Sequence, residues 1–397
     1  MSRLPVFPRD LQRIIETNLK HFAFVSITGP RQSGKTTLCH LSVNSKYKYV
    51  NFESQQSAFA AANDPESFIK EFPHKVILDE VQKVPQLFSE LMVHTDTAKK
   101  KGAYILTGSQ NFLLMESISQ SLAGRVAVFF LLPFSLHEVY PNLKAKEQQW
   151  QQLAVRGFYP ALYAQRKIST QVFYRSYIAT YLERDVRTLL NIRLRSTFRK
   201  FLKICAVRSG NIINLNEISN QLNVDATTIR SWLSILESSF IIYLIAPYHS
   251  NLDKRVYKKP KLYFYDTGLL SYLLGIRSAE QLNASVHKGS VFENFVITDM
   301  IKRKTNKGEL PEFFYWQDTN GNEVDLIYEN GDIIELYEIK SSETARMEHA
   351  AQLVRFSALA QARGLKTSQT VIYAGAQSSK VKQLQMRSWK DLAKLTW

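Results

Sequence analysis

Two groups of residues in this chain have the types and spacing to do chemistry on phosphates. The first is Gly29-Pro30-Arg31-Gln32-Ser33-Gly34-Lys35-Thr36, followed by Thr37. Glycines at both ends of such a loop let successive backbone N–H groups turn inward toward phosphate oxygens. Lys35 is spaced to reach β- and γ-phosphates, and the Thr36 hydroxyl is a hard oxygen donor for magnesium. Its second half is Val76-Ile77-Leu78-Asp79-Glu80, an apolar run ending in two acids. Asp79 suits the cation, directly or through water, and Glu80 suits the polarisation of an attacking water. The second group comes late: Glu293, then Asp325, then Glu338 and Lys340 two residues apart. Asp325, Glu338 and Glu293 are hard donors for magnesium or manganese, and Lys340 could orient a water and offset negative charge, which is what phosphodiester cleavage requires.

Elements must hold both groups in place. The apolar run Phe22 to Ile27 leads into the glycine loop, and Thr37 to Leu41 follows as a helix. Further short apolar runs at Tyr47 to Phe52, Val76 to Leu78, Tyr104 to Leu106 and Val126 to Leu131 alternate with helix-like segments. That alternation predicts an α/β fold, a parallel sheet with helices on both faces. The run at Tyr104 ends in Thr107-Gly108-Ser109-Gln110-Asn111, so Thr107 or Ser109 is placed beside a γ-phosphate, or is an ordinary polar loop residue. Arg125, in Leu122-Ala123-Gly124-Arg125, reads as a γ-phosphate sensor, as a finger into a neighbouring subunit, or as a surface arginine at a helix end. In the tail, Phe313 to Trp316, a turn at Thr319 to Asn322 and Glu323 to Tyr328 read as a hairpin. A second turn at Asn330 to Asp332 leads to Ile333 to Lys340, where strand periodicity puts Glu338 and Lys340 on one face.

Between these ends the pattern from about Trp150 to Leu190 is helical, reading as a lid or connector. Leu215 to Trp232 then reads as two amphipathic helices around a tight turn, with Asp225 capping the second. Alternating stretches at Ile241 to Tyr248 and Lys261 to Tyr265 complete a winged-helix shape. Its reading helix offers Arg230, Thr227, Thr228 and Ser231, and its wing-like loop offers Lys254, Arg255, Lys258 and Lys259. Whether this module touches DNA or spaces the two ends is left open by the pattern. The expected division is 1–145, an ATPase-like α/β domain; 146–195, the connector; 196–270, the winged helix; and 271–397, an α/β tail.

The glycine loop, Val76 to Gln82, Leu106 to Ser109 and Leu122 to Arg125, with Tyr181 to Val186 and Lys261 to Leu269, together resemble a bacterial and archaeal family of AAA-type ATPases. In that family the ATPase domain precedes a C-terminal domain of unknown function with a restriction-nuclease-like fold. The order Glu293, Asp325, Glu338, Lys340 resembles the PD-(D/E)xK superfamily, and Gln352-Leu353 resembles a glutamine found in its exonuclease-like branches. The resemblance implies ATP rather than GTP as the nucleotide.

Composition sets bounds. The chain has 397 residues, is 45% hydrophobic and 22% charged, and carries a net charge of +16, which favours a polyanionic partner such as DNA. Cys39 and Cys205 stand far apart, without metal spacing, as expected in a reducing compartment. Charges at Arg3, Arg9, Asp10 and Arg13 argue against a secretory leader, and the apolar stretches Phe129 to Leu136 and Phe240 to Pro247 are too short to span a bilayer. A cytoplasmic protein without a membrane partner is expected, with a homo-oligomer allowed by a trans-acting Arg125. The expected function is magnesium-dependent ATP hydrolysis coupled to DNA binding or metal-dependent cleavage by the tail. The alternative is an ATP-dependent signalling or defence switch whose tail binds a partner without cutting.

Overall fold

The computed structural model describes residues 5–43, 46–109, 111–141, 149–165, 167–182, 195–248 and 259–394. Five short strands open the fold: β1 (Phe24–Thr28), β2 (Lys48–Asn51), β3 (Val76–Asp79), β4 (Tyr104–Gly108) and β5 (Val126–Phe130). They pair in parallel in the order β2-β3-β4-β1-β5. Both faces are dry, as the apolar runs require. Val76 and Leu78 of β3 enter the core with Phe24, Leu106 and Leu87, while Ile77 on the other face joins Val25, Ile27, Ile105 and Leu38. The expected parallel sheet is thus observed. Its order sets β4 between β1 and β3, so whatever ends β4 lies between the glycine loop and Asp79.

The rest of the chain builds a second sheet of eight strands, in the order β12-β13-β11-β10-β9-β8-β6-β7. These are β6 (Ile242–Pro247), β7 (Lys261–Phe264), β8 (Phe313–Gln317), β9 (Glu323–Asn330), β10 (Ile333–Lys340), β11 (Lys366–Tyr373), β12 (Ser379–Val381) and β13 (Leu384–Ser388). The helices Leu215–Leu222 and Ala226–Ser238 form as expected, and Asp225 caps the second by accepting the Thr228 N–H at 2.8 Å. The strands that follow are more than a wing, however. β6 pairs antiparallel with β7 and, at Ala246 and Pro247, parallel with Phe314 and Tyr315 of β8. One continuous sheet therefore crosses the boundary expected near residue 270.

The packing crosses it as well. A single core runs from Leu132 and Phe134 through Trp150, Phe201, Trp232 and Tyr263 to Phe295 and Trp389. Phe295 lies on the helix Lys288–Asn306, with ring centroids 5.9 Å from both Phe158 and Trp389. Among the described residues no helix is long and apolar enough to cross a membrane.

Gly157 shows how tightly this middle is closed. Its φ is +74°, and a Cβ there would stand 2.0 Å from the Tyr174 hydroxyl and 2.6 Å from Asp266 Oδ1. That carboxylate is already committed, accepting the Phe158 N–H at 2.6 Å, the Tyr174 hydroxyl at 2.7 Å and the Leu269 N–H at 2.9 Å. Gly124 has a similar φ of +77° with nothing within 4 Å of the added atom. Gly157→Ala is expected to cost on the order of 4 kcal/mol because it breaks a buried network as well as straining the backbone, against about 1 kcal/mol of backbone strain for Gly124→Ala. Urea midpoints of the two variants measure the difference, and equal midpoints would refute the close packing at Gly157.

Candidate functional site

The glycine loop joins the end of β1 to the helix Lys35–Val43. At Gly29 a Cβ would stand 2.1 Å from the Leu131 carbonyl oxygen, so only glycine fits beneath β5. Gly34 has φ +92° and Gln32 φ +60°, which curl the loop. Ser33 is buried with no partner for its hydroxyl among the described residues, Arg31 and Thr36 are half-buried, and Gln32 and Thr37 are exposed. Lys35 is buried and its Nζ donates to the carbonyls of Gly29 and Pro30, both at 2.9 Å. Burial lowers its pKa to about 8, against the pull of the Glu80 and Asp79 charges. An unpartnered buried hydroxyl and an ammonium resting on carbonyls form a cradle suited to an anion.

Asp79, at the end of β3, gathers the neighbouring elements. Its Oδ2 accepts the Thr36 hydroxyl at 2.8 Å and the Tyr49 hydroxyl at 2.6 Å, and its Oδ1 accepts the Thr107 hydroxyl. Thr107 is therefore held by Asp79. Glu80 adopts a left-handed backbone with φ +56°, unusual for a non-glycine residue and aiming its side chain away from the strand. Its Oε2 accepts the Gln82 amide at 2.6 Å, the Ser109 N–H at 3.2 Å and the Ser109 hydroxyl at 2.9 Å. Thr36, Asp79, Glu80, Thr107 and Ser109 are thus brought together. The sequence carries no sign of Tyr49, which reaches Asp79 from the neighbouring strand, whereas Gln82, two residues from Glu80, stands in the sequence only as part of the family motif.

Arg125 is not brought there. It precedes β5, and in a parallel sheet with Phe24 opposite Val126 it lies at the strand end opposite the glycine loop. Its guanidinium pairs with Asp96, through Nε at 2.7 Å and Nη2 at 2.8 Å. The reading of Arg125 as a γ-phosphate sensor within its own chain is corrected accordingly; this end of β5 presents a surface ion pair.

The tail residues also converge. β9 and β10 pair from Asn330 opposite Ile333 to Leu326 opposite Tyr337. One step on, the Asp325 side chain takes over the ladder, its Oδ2 accepting the Ile339 N–H at 2.7 Å. Lys340 Nζ pairs with Glu338 Oε1, while Glu338 Oε2 is buried with no partner among the described residues. Burial, then the Asp325 charge, push Glu338 up to about 8 and Glu293 up to about 7. Burial works to lower the Lys340 pKa, but Asp325 and Glu338 outweigh it and hold the ammonium charged. Glu293 accepts the Tyr263 hydroxyl at 2.6 Å and lies 3.9 Å from the Nζ of Lys261, itself buried and paired with Glu323. Tyr263 and Lys261 come from the stretch that the sequence marked as a wing strand and as a family motif, with no sign of a partner in the tail. Gln352 stands on the helix Ala351–Gln361 with its Oε1 buried and unpartnered.

The expected set of three metal-holding acids does not form. Among the described residues no group of three or more His, Cys, Asp or Glu is arranged to hold a metal ion. The physical reason is the pairing itself: Glu293 is taken by Tyr263 and Lys261, and Glu338 by Lys340, while Glu293 and Asp325 stay close enough for their charges to repel.

A cavity of about 690 Å³ opens beside this cluster, lined in part by Lys203, Arg208, Asn211, Gln221, Lys261 and Glu323. Gly210 forms part of its wall, where a Cβ would stand 3.5 Å from Glu293 Oε2. On the expected reading helix, Arg230 and Thr227 are exposed, but the Thr228 hydroxyl donates to Asp225 and the Ser231 hydroxyl to the Thr227 carbonyl. Lys259 is exposed; Lys254, Arg255 and Lys258, like Gln110 and Glu183 to Val186, lie outside the described residues.

Comparison with known proteins agrees with this geometry. Residues 21–140 match an AAA domain, residues 147–280 a domain of unknown function (DUF8612), and residues 288–391 a domain of unknown function (DUF4143). Uncharacterized proteins of Mycobacterium tuberculosis and Mycobacterium bovis are each 30% identical over 339 residues, covering 85% of this chain and 74% of theirs. An uncharacterized protein of Haemophilus influenzae is 22% identical over 323 residues, covering 74% of this chain and 78% of its own. Among solved structures, a Walker-type ATPase of Pyrococcus abyssi aligns with a TM-score of 0.45 and 15% identity, over 68% of this chain and 97% of that one. The Holliday junction branch migration motor of Thermotoga maritima aligns with a TM-score of 0.32 and 17% identity, over 59% and 88%. The chain belongs with the mycobacterial proteins in one family, and its residues 21–140 form an AAA-type P-loop domain.

Proposed function

We propose that the glycine loop binds ATP with magnesium and hydrolyses it, and that this turnover controls a tail that acts on DNA. The observation that carries the first part is the convergence of Lys35, Thr36, Asp79, Thr107 and Glu80 at the C-terminal ends of β1, β3 and β4. On this reading Lys35 leaves the Gly29 and Pro30 carbonyls for the β- and γ-phosphates. Thr36 and Asp79 hold the magnesium, which when bound offsets charge on those phosphates. Among the described residues all three bonds to Glu80 fall on Oε2, leaving Oε1 to take the proton as water attacks the γ-phosphorus and ADP departs. Ser109 and Gln82 keep that carboxylate in place.

For the tail, Asp325, Glu338 and Lys340 support chemistry on a phosphodiester, with the Lys203–Arg208 cavity as the approach. Asp325 and Glu338 are the residues that would hold a divalent metal, and the unpartnered Glu338 Oε2 is the atom best placed to receive it. A second reading is favoured by one observation: Glu293, Glu323 and Glu338 already have lysine partners, as in a module that binds without cutting.

Lys35→Ala is expected to abolish nucleotide binding, whereas Glu80→Gln keeps binding and slows hydrolysis by about 10²–10⁴-fold. Equilibrium titration and steady-state phosphate release separate the two, and wild-type turnover in Glu80→Gln would remove Glu80 from the mechanism. Because the free loop holds Lys35 at about 8, ATP affinity should be nearly flat below pH 8. Above it, binding must recharge the ammonium, so affinity falls by about tenfold per pH unit. A flat profile to pH 9.5 would show that the free loop does not depress the Lys35 pKa or that the ammonium takes no part in binding. For the tail, cleavage of linear and circular DNA, with magnesium or manganese and with or without ATP, is expected in the wild type and lost in Lys340→Ala. DNA binding that weakens with salt but no cleavage under any of these conditions would favour the second reading.

A further inference from the structure

A buried run of hydrogen bonds joins the glycine loop to the helix that carries Glu293. It begins at Arg9, which is only 6% exposed. Its Nη1 donates to the Ser33 carbonyl inside the loop at 2.8 Å, and its Nη2 to the Leu132 carbonyl at 2.7 Å. Its Nε donates to Glu138 Oε1 at 2.8 Å, and its plane lies over the Phe134 ring, 4.7 Å from the centroid. A fork of this kind holds three acceptors in one geometry, which a lysine could not reproduce.

Glu138 carries the connection onward. Its Oε2 accepts the Ser135 N–H at 2.8 Å, and the Ser135 hydroxyl accepts the Glu138 N–H at 3.3 Å, closing a capping box on the short helix Leu136–Val139. The first amide of that helix, Leu136 N–H, donates to Asp299 Oδ1 at 2.6 Å. Asp299 belongs to the helix Lys288–Asn306, six residues beyond Glu293. That is about 9 Å along the axis at the usual helical rise. One carbonyl of the loop is thus tied to the Glu293 helix through Arg9, Glu138 and Asp299, all of them buried.

The far end is incompletely bonded. Among the described residues Asp299 Oδ2 is buried with no hydrogen-bond partner, so the Leu136 N–H is the hydrogen bond that ties this carboxylate to the relay. Lys302, on the same helix, is also buried, its Nζ 4.6 Å from the centroid of the Phe158 ring. The loop end has reason to move, because a Lys35 that turns to phosphates releases the carbonyls of Gly29 and Pro30, and the Pro30 carbonyl also accepts the Ser33 N–H at 3.3 Å.

We propose that Arg9, Glu138 and Asp299 are positioning residues of a relay by which nucleotide in the glycine loop resets the Lys288–Asn306 helix, and with it Glu293 against Asp325 and Glu338. This rests on the reading that the loop binds nucleotide, but it does not depend on what the tail does.

The test is hydrogen–deuterium exchange of the full chain with and without a non-hydrolysable ATP analogue, alongside a binding titration of the same samples. In the wild type, analogue binding is expected to change exchange across residues 292–300 by fivefold or more. Asp299→Ala should bind the analogue within about twofold of wild type and lose that response. Asp299→Asn, which keeps an oxygen acceptor for the Leu136 N–H, should restore it. If Asp299→Ala does not fold, Glu138→Gln takes its place, and a full wild-type response in either variant overturns the relay. Analogue binding without any change at 292–300 in the wild type overturns the relay alone. Failure of the wild type to bind overturns the nucleotide reading together with it.

Discussion

A buried carboxylate must find hydrogen-bond donors for its oxygens, and Asp79 meets this demand with three hydroxyls drawn from three elements. Tyr49 comes from β2, Thr36 from the first turn of the helix after the loop, and Thr107 from the end of β4. None can be moved without leaving a bond of Asp79 unmade, so the spacing between loop, strand and sensor-like threonine is fixed before any ligand arrives. The order of strands makes this possible, since β4 sits between β1 and β3 and brings Thr107 within reach of the acid. The left-handed backbone at Glu80 follows from the same crowding: with Asp79 committed inward, the next residue turns out of the strand and is caught by Ser109.

The tail solves an opposite problem. It packs Glu293, Asp325 and Glu338 into one buried region, where like charges repel and burial penalises each of them. Three devices offset this: the Ile339 amide on Asp325, Lys340 on Glu338, and Lys261 with Tyr263 on Glu293. Lys261 belongs to β7, a strand contributed by the middle of the chain. The electrostatics of the tail are therefore completed from outside it.

Much of this was legible in the sequence where chemistry follows from local spacing. The glycine loop, Asp79 with Glu80, the hairpin that presents Asp325 and the shared face of Glu338 and Lys340 all depend on neighbours within a few residues. What could not be read depends on contacts across long separations. Arg9 lies 129 residues from Glu138, and Lys261 lies 62 from Glu323, and neither side chain carries a local sign of its partner. Arg125 is a different lesson. It precedes its strand whereas Asp79 ends one, and in a parallel sheet those two ends lie apart, so topology alone places it away from the loop. The middle was legible as helices, but the apolar alternation of β6 and β7 gives no hint that they join the sheet of β8.

That shared sheet bears on how the protein can be divided. A fragment beginning after residue 270 would lose β6 and β7 and leave β8, with Phe313, Phe314 and Tyr315, as an open edge ready to pair with another chain. It would also lose Lys261 and Tyr263, and with them the cation and the hydroxyl that Glu293 pairs with. The natural seam for dissecting the protein lies before the helix Trp150–Arg156 rather than near 270, and even there the cut separates Leu132 and Phe134 from the core they share with Phe295. Tail and middle therefore fold as one unit: a chimera joined at residue 270 would have to carry a matched edge strand and a matched lysine with it.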